Sequence, residues 1–408
     1  MPSGEPRESI SDRVREDLEV LCSAVPDRRP GSAGNHEAVE YVADRLAEAG
    51  CTVRFQEFPC LDWETQGGTL SVGDRTIELT PSPYGIGVKA AGPIRVVREV
   101  AELGRDDLDG SILVLTGGLA SEPLTPKAFP FYGSDEHEVI IAALEAAVPA
   151  AVIAVTGKYP ELCGALDPFP LIEDGDFSIP TANVRPEAGE TLVKEDGRPA
   201  TVEIRSIRKP SRARNVIGSR GSQTERITVI AHIDAKPGTP GAVDNGAGVV
   251  VLLVLARLLA EHPDLPIGVE LLAVNGEDHF AAPGELAWLS EHGDALEQIP
   301  LVVNIDGAGY RGGRSAFSKY NLDDELGGLV DGVFAGRDSF IEGPDWYQSD
   351  HAIFAMRGRP VVAITTEHVQ EMLSELFHSP ADTPDQVDPK LVVDIALALE
   401  ELIVTWSS

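Results

Sequence analysis

Lysine, cysteine and long apolar runs are scarce in this sequence. Only eight of its 33 basic residues are lysines, while 66 acidic residues leave a formal net charge of −33. Because such a surface repels phosphate backbones and anionic membranes, we expect no nucleic-acid partner. Excess acid with little lysine is typical of a halophile protein adapted to high salt, where self-repulsion is screened, and equally of a merely acidic protein from a GC-rich genome.

The four cysteines lack the spacing of a zinc site and are too few to cross-link 408 residues; they are Cys22, Cys51, Cys60 and Cys163. We expect buried apolar thiols in a reducing compartment. The sequence begins without a basic segment followed by an apolar core, and no run reaches about 18 apolar residues. We therefore predict a cytoplasmic protein with no membrane partner.

The hydrophobic pattern changes twice along the chain. Helical periodicity covers the N-terminus, short β-like runs with many turn residues cover residues 63–206, and strands alternate with helices after about residue 213. Strands that are apolar on both faces and separated by helices predict an α/β fold with a mixed, largely parallel sheet sandwiched by helices. We expect a catalytic domain made of residues 1–62 and 207–408, with a separate β-rich domain of residues 63–206 inserted in it.

Imidazole and carboxylate side chains follow four predicted strands of this sheet. They are His232 after residues 226–231, Glu277 and Asp278 after residues 268–274, Asp306 after residues 301–305, and His378 downstream of residues 360–365. Ligands bind beyond the carboxyl ends of the strands in an open α/β sheet, so we expect these side chains at one edge. Each residue also has a structural explanation: histidines after strands are often core residues, and Asp244, in "VDNG", can form a turn or cap the following helix.

The joint pattern predicts a metal site. Two histidines and three carboxylates suit Zn²⁺ or a similar divalent ion, and the set is His232, Asp244, Asp278, Asp306 and His378. Five ligands exceed the needs of one tetrahedral zinc, whereas two ions that share one carboxylate would use them economically. The glycines of "GTPGAVDNGAG" lack both the P-loop signature and G-x-G-x-x-G, which argues against a phosphate loop.

Six segments of the chain resemble the M28 family of zinc aminopeptidases and follow that family's order. They are "RRPGSAGNHEAVEYVADRLAEAG", "AHIDAKPGTPGAVDNGAG", "LLAVNGED", "VVNIDG", "QSDHAIFAMRGRP" and "FHSPADTPDQVD". The insert resembles the protease-associated (PA) domain of many members, through "DLDGSILVLTGG", "AAVIAVTG" and "IPTANV". The resemblance implies a zinc exopeptidase-like fold in which a PA-like lid limits the site to short peptides.

The resemblance also implies how the ligands are shared between two zinc ions. His232 and Asp306 would bind one ion, Asp278 and His378 the other, and Asp244 would bridge them. Co²⁺ or Mn²⁺ could replace zinc in such a site. Where the family usually has glutamate, this chain has Asp278, so we expect the second ion to bind more weakly or in a different position.

Two further residues receive roles from the same resemblance. Glu277 would be the general base, taking a proton from the attacking water and passing it to the leaving amine. Asp234 would lie behind the His232 imidazole and orient it. Apart from the resemblance, Asp382 and Thr383 follow His378 in the sequence, and we expect them to fix the loop that carries it. His279 is adjacent to the ligands but is not expected to bind metal, because the set is complete without it.

The segment "YQSDH" contains the candidates for a substrate pocket. They are Tyr347, Ser349, Asp350 and His351. The last three match the family near its pocket, and a hydrogen-bonding role within the fold is an equally open interpretation for them. Aromatic residues such as Tyr347 are also often packing residues.

We therefore predict a dinuclear zinc aminopeptidase whose partner is a peptide substrate. The same metal site could serve a carboxypeptidase, another amidohydrolase or a glutaminyl cyclase, and these alternatives remain open. A non-catalytic binding protein on a peptidase fold is the alternative from a different class. Chains of this size are often homodimers, but the sequence shows no exposed seam that requires one.

Overall fold

The computed structural model describes residues 7–25, 27–127, 129, 133–221 and 225–406. Within them the α-helices are α1 (Arg7–Glu19), α2 (Ala33–Glu48), α3 (Asp135–Ala147), α4 (Pro160–Cys163), α5 (Pro186–Val193), α6 (Ala247–Leu259), α7 (Pro283–His292), α8 (Asp324–Phe334), α9 (Ala352–Ala355), α10 (Val369–Glu375) and α11 (Pro389–Val404). The strands are β1 (Thr52–Val72), β2 (Arg75–Pro81), β3 (Val88–Val97), β4 (Ile112–Leu115), β5 (Ala151–Val155), β6 (Thr181–Val184), β7 (Pro199–Arg220), β8 (Arg226–His232), β9 (Gly268–Val274), β10 (Val302–Ile305), β11 (Ser315–Tyr320), β12 (Phe340–Glu342) and β13 (Val361–Thr366).

The chain forms two compact units. Unit 1 comprises Met1–Cys60 and Arg212–Ser408, and unit 2 comprises Leu61–Ser211. The chain enters unit 2 along β1 and returns along β7, since each of these long strands begins in one unit and ends in the other. Unit 2 is therefore an insertion in the sequence of unit 1, and its role as a PA-like lid stays a prediction.

The sheet of unit 1 is mixed and largely parallel. Its strand order is β7–β9–β8–β10–β13–β11–β12. The central strands β9, β8, β10 and β13 are parallel to one another, whereas β7 is antiparallel to β9 and β11 is antiparallel to β13. The central strands are buried along almost their whole length, as expected of a parallel sheet that helices cover on both faces. The predicted α/β architecture is confirmed.

Helix α6 lies at the centre of the unit 1 core. All its residues except Arg257 are buried, and it packs against α1, α2 and α11 as well as β8 and β9. A helix that is apolar on every side is normally a buried one. Among the described residues, Ala242–Leu259 is also the segment whose length and composition would suit a membrane span, and 94% of it is buried inside the structure. This buried helix gives the segment before it a rigid attachment.

Unit 2 has its own sheet and its own core. β3, β4, β5 and β6 are parallel neighbours, and β2 and β7 pair antiparallel with β6 and β3 at the two sides. Alternate residues of β4 enter different apolar clusters: Leu113 and Leu115 belong to one, and Ile112 and Val114 to the other. Both faces of this sheet are therefore buried, with α3 the longest helix of the unit.

Replacing Leu252 with alanine tests the central position of α6. Leu252 is fully buried, so the change removes apolar contacts and leaves a cavity. We expect the free energy of unfolding, measured in urea by circular dichroism, to fall by about 2–5 kcal/mol. Leu162→Ala is the control, because Leu162 is 43% exposed. Equal losses in the two variants would contradict this packing.

Candidate metal centre

The five predicted ligands lie at the carboxyl edge of the unit 1 sheet. His232 is the last residue of β8, Asp306 directly follows β10, and Asp278 follows β9 by four residues. Asp244 lies in an irregular turn, Ala242–Gly246, before α6, with non-helical backbone angles of φ −117 and ψ 88, and His378 lies in the loop after α10. The sheet therefore delivers three ligands directly, and two irregular segments add the others.

Asp244 lies between the two histidines. Its Oδ1 is 3.3 Å from His232 Nε2, and its Oδ2 is 3.2 Å from His378 Nε2. Asp306 Oδ1 is 3.5 Å from His232 Nε2, and Asp278 Oδ1 is 2.7 Å from His378 Nε2. The side chains thus form two groups that share Asp244. Asp244 does not cap α6; the neighbouring Asn245 does, since its Oδ1 accepts from the main-chain N–H of Gly248 at 3.2 Å.

The spacing and chemistry of these atoms fit zinc. Two ligands of one tetrahedral zinc, each about 2.0–2.2 Å from the ion, lie about 3.3–3.5 Å apart. Both Asp244 contacts and the Asp306 contact are close to this value; the Asp278–His378 pair is nearer, at hydrogen-bonding distance. His232 Nε2 and Asp278 Oδ2 are buried without a hydrogen-bond partner, which is unusual for polar atoms. A metal ion would satisfy both atoms.

The surrounding carboxylates determine the charge of the ligand histidines. Burial lowers the pKa of His232, but Asp306, Asp234 and Asp244 outweigh it, and the pKa lies well above the usual value. Burial also lowers the pKa of His378, but Asp278 and Asp244 raise it by more, and the pKa again lies well above the usual value. Because a histidine must lose its proton to bind metal, metal affinity will fall as the pH is lowered.

Asp234 holds His232 from behind. His232 Nδ1 donates to the main-chain oxygen of Asp234 at 3.2 Å, and the carboxylate lies 3.7 Å from the same nitrogen. This contact places the proton on Nδ1 and leaves Nε2 directed at the carboxylates. The Asp234 carboxylate also accepts hydrogen bonds from the main-chain N–H groups of Gly276 and Asp278 and from His279 Nδ1. His279 is therefore a partner of Asp234, and Asp234 joins two ligand-bearing loops.

Asp382 fixes the turn that carries Asp244. Its carboxylate accepts from the main-chain N–H groups of Val243, at 2.7 Å, and Asp244, at 3.1 Å, and its main-chain oxygen accepts from Ala242. Burial raises the pKa of Asp382 to about 7 in spite of these hydrogen bonds. The sequence associated Asp382 with the loop of His378, and the structure joins it also to the Asp244 turn.

Glu277 is the most exposed of the carboxylates beside the ligands. Its side chain is 18% exposed, and Oε2 lies 3.9 Å from His232 Nε2. Burial raises its pKa well above the usual value; His232 opposes this shift, and Asp306 and Asp278 add to it. A reachable carboxylate with a raised pKa has the properties of a general base.

The four pocket candidates occupy different environments. Asn304 Nδ2 donates to Ser349 Oγ at 2.8 Å and lies 3.2 Å from His351 Nδ1, and His351 Nε2 donates to the main-chain oxygen of Trp346 at 2.6 Å. Burial of Ser349 and His351 favours the hydrogen-bonding role that the sequence left open. Tyr347, at 47% exposure, has the free surface that a substrate contact requires.

Glu285, which sequence reasoning missed, forms a buried carboxyl pair with the pocket candidate Asp350. Both are 1% exposed, and Asp350 has no hydrogen-bond donor at either oxygen. Burial raises the pKa of Glu285 to about 6, and burial with the charges of Glu285 and Glu277 raises that of Asp350 well above its usual value. Asp350 therefore takes up a proton more readily than an ordinary aspartate does. Glu285 lies in the first turn of α7, where acidic residues are common, so the sequence carried no signal for it.

Known proteins resemble this chain in sequence. Residues 215–403 match the model of peptidase family M28. The probable lipoprotein aminopeptidase LpqL of Mycobacterium tuberculosis is 27% identical over 285 residues, which cover 68% of this chain and 54% of that protein. The chain spans about half the length of the curated relatives it matches.

Solved structures resemble this chain over nearly its full length. The zinc aminopeptidase BSAP from Bacillus subtilis covers 96% of this chain and 94% of its own, with a TM-score of 0.73 and 20% identity. A glutaminyl cyclase from Porphyromonas gingivalis covers 98% of this chain and 97% of its own, with a TM-score of 0.53 and 14% identity. At these identities the likeness shows a shared fold.

The buried His351 predicts a pH dependence of stability. Burial lowers its pKa from 6.5 to about 4, so the folded protein takes up this proton later than the unfolded chain does. The contribution of His351 is present in full above about pH 6.5 and decreases by roughly 3 kcal/mol as the pH falls to about 4. We expect the free energy of unfolding, measured with chelator present, to decrease less between these pH values in His351→Gln than in the unchanged protein. Parallel curves for the two proteins would contradict the assignment.

Proposed function

Because residues 215–403 belong to peptidase family M28, we propose that this chain is a metal-dependent aminopeptidase that removes N-terminal residues from short peptides. The observation that carries the proposal is the arrangement of two histidine–carboxylate groups around a shared Asp244, with Glu277 beside them. A zinc aminopeptidase with the same fold supports zinc as the metal.

Each ligand group would hold one ion. His232 and Asp306 would bind the first and His378 and Asp278 the second, with Asp244 between them. Bound there, zinc supplies a Lewis acid that polarises the scissile carbonyl and lowers the pKa of water. Although Asp278 is one methylene shorter than the family's usual glutamate, its Oδ2 is buried without a hydrogen-bond partner, which supports a metal ion at the second site. Co²⁺ and Mn²⁺ share the ligand preferences of this set.

Glu277 moves the proton in the proposed reaction. Its carboxylate takes a proton from the attacking water, which makes the oxygen nucleophilic, and then returns it to the nitrogen of the departing amine. Asp234 keeps the Nδ1–H tautomer of His232, so that Nε2 stays available as a ligand. Residues behind the site therefore maintain the protonation state of the residues at its surface.

The charge of the site favours a substrate with a free amino terminus. Two divalent ions would bring four positive charges, and the five carboxylates of Asp234, Asp244, Glu277, Asp278 and Asp306 would face them. A net negative site attracts the ammonium group of an N-terminal residue and repels the carboxylate of a C-terminal one. The proposal therefore prefers an aminopeptidase to a carboxypeptidase.

Glutaminyl cyclisation is the second candidate, because a cyclase also acts on an amino terminus and P. gingivalis glutaminyl cyclase has this fold. A non-catalytic binding protein would have no need for a complete ligand set with a base. The cytoplasmic location, the homodimer, the high-salt adaptation and the lid role of unit 2 stay predictions.

A panel of dipeptides tests the proposed reaction. We expect release of amino acids from free dipeptides and none from their N-acetylated forms, because only the former carry the ammonium group. A chelator should abolish release and zinc should restore it. Conversion of N-glutaminyl peptides to pyroglutamyl peptides would favour the cyclase, and cleavage of blocked dipeptides would favour a carboxypeptidase or another amidohydrolase.

Substitution of two residues separates catalysis from metal binding. Glu277→Gln removes the base but no ligand, so we expect kcat to fall by about 10²–10⁴-fold with the zinc content unchanged. His232→Ala removes a ligand and should lower both zinc content and activity. Glu48→Gln, at an exposed glutamate of α2, is the control. Unchanged turnover in Glu277→Gln would refute the role of Glu277 as the base.

A further inference from the structure

Arg28 is a buried cation that contacts the metal-bearing part of the fold. It is 1% exposed, and its guanidinium donates hydrogen bonds to four main-chain carbonyl oxygens. These belong to Leu21, at 2.7 Å, Ile233, at 2.8 Å, Pro240, at 2.7 Å, and Gly241, at 2.8 Å. Its described contacts include no ion pair with a carboxylate. The carbonyl oxygens therefore compensate the charge, as a buried cation requires.

Three of the four carbonyl groups belong to the loop that joins two metal ligands. Ile233 directly follows His232, and Gly241 precedes Asp244 by three residues. One planar guanidinium thus holds both ends of the loop, residues 233–241. The separation of these ends determines how closely the side chains of His232 and Asp244 approach each other, which is 3.3 Å between Nε2 and Oδ1.

The same loop is connected to the third ligand segment. Thr239 Oγ1 donates to the main-chain oxygen of Ser379, the residue after His378, at 2.8 Å. Thr239 Oγ1 also accepts from the main-chain N–H of Gly241 at 3.1 Å. A displacement of the loop would therefore reach His378 as well as the two ligands that flank the loop.

We propose that Arg28 is a positioning residue that sets the spacing of His232 and Asp244 and thereby the zinc affinity of the centre. This inference depends on the proposed function, in which the centre binds zinc. The planar fork of arginine directs several N–H groups at acceptors on both ends of the loop, whereas lysine has one compact ammonium group on a flexible stem. Arg28 touches neither substrate nor metal and acts through the main chain.

Arg28→Lys tests the proposal because it keeps the charge and removes the fork. Zinc affinity is measured by competition with a chromophoric chelator, and the metal-free protein is melted in parallel. We expect zinc binding to be about 10–100-fold weaker than in the unchanged protein, the size of effect that residues behind metal ligands have. The absorption spectrum of the Co²⁺-substituted protein should also change, because altered ligand spacing changes the coordination geometry.

Arg208→Lys is a matched control. Arg208 also donates to three main-chain carbonyl oxygens, those of Tyr84, Gly175 and Phe177, but all of these lie in unit 2. We expect this variant to lose stability without losing zinc affinity. Equal zinc affinity in Arg28→Lys and the unchanged protein would overturn the proposal, and so would an equal loss in both variants, which would indicate general destabilisation.

Two further measurements keep the outcomes distinct. Zinc binding and peptide cleavage by the unchanged protein test the proposed function. The zinc affinity of Arg28→Lys relative to that of the unchanged protein tests the positioning role of Arg28. If Arg28→Lys does not fold, hydrogen exchange in the metal-free unchanged protein decides: the amides of Thr239 and Gly241, which donate within the loop itself, should stay protected, because Arg28 holds the loop without metal. Rapid exchange of these amides would overturn the proposal.

Discussion

The metal centre depends on the short segment, residues 233–243, that joins β8 to the turn before α6. This segment brings the two ligands at its ends, His232 and Asp244, close together in space. His232 ends β8 and Asp244 precedes α6, yet their donor atoms are 3.3 Å apart. Their approach is possible because Gly241 has a left-handed conformation, with φ +59, where a Cβ would lie 2.6 Å from the main-chain oxygen of Asp244 and 2.8 Å from Arg28 Nη2. The buried α6 holds the other end of the turn. Turn geometry as well as ligand chemistry therefore fixes where a metal can bind.

The same crowding of carboxyl groups produces two kinds of acid. Burial acts to raise the pKa of Asp234, Asp244, Glu285 and Asp350, but His232 with His279 reverses the shift at Asp234, and His232 with His378 reverses it at Asp244. At Glu285 and Asp350 the charge of His232 offsets the effect of burial only in part, and the pKa of each group stays raised. Histidine neighbours thus lower the pKa of Asp234 and Asp244, whereas the pKa values of Glu285 and Asp350 stay raised by burial.

His232, Asp278 and Asp306 could be predicted from the sequence because each lies within four residues of a strand end, and a parallel sheet brings such ends to one edge. The α/β fold followed from the same regular pattern. Arg28 and Glu285 could not be given a role, because no periodicity encodes their partners. The loop carbonyls that Arg28 holds are 205 to 213 residues away in the chain, and only the folded structure brings them together.

The N-terminal segment that contributes Arg28 also holds the loop of the base, by different chemistry. Asn35 and Asn275 exchange two amide hydrogen bonds of 2.8 Å, and Asn275 precedes Glu277 by two residues. Asn215 Oδ1 accepts from the main-chain N–H of Asn275, so the loop is fixed on two sides. An amide carries no net charge and can hold the base loop with little effect on the pKa of Glu277. A cation in the position of Asn35 would lower the pKa of Glu277. Beside residues 233–241, in contrast, the charge of Arg28 is stabilised by the main-chain carbonyl groups around it. A charged residue, Arg28, therefore fixes the loop that sets the ligand spacing, and neutral amides, those of Asn35 and Asn215, fix the loop whose carboxylate must keep its proton affinity.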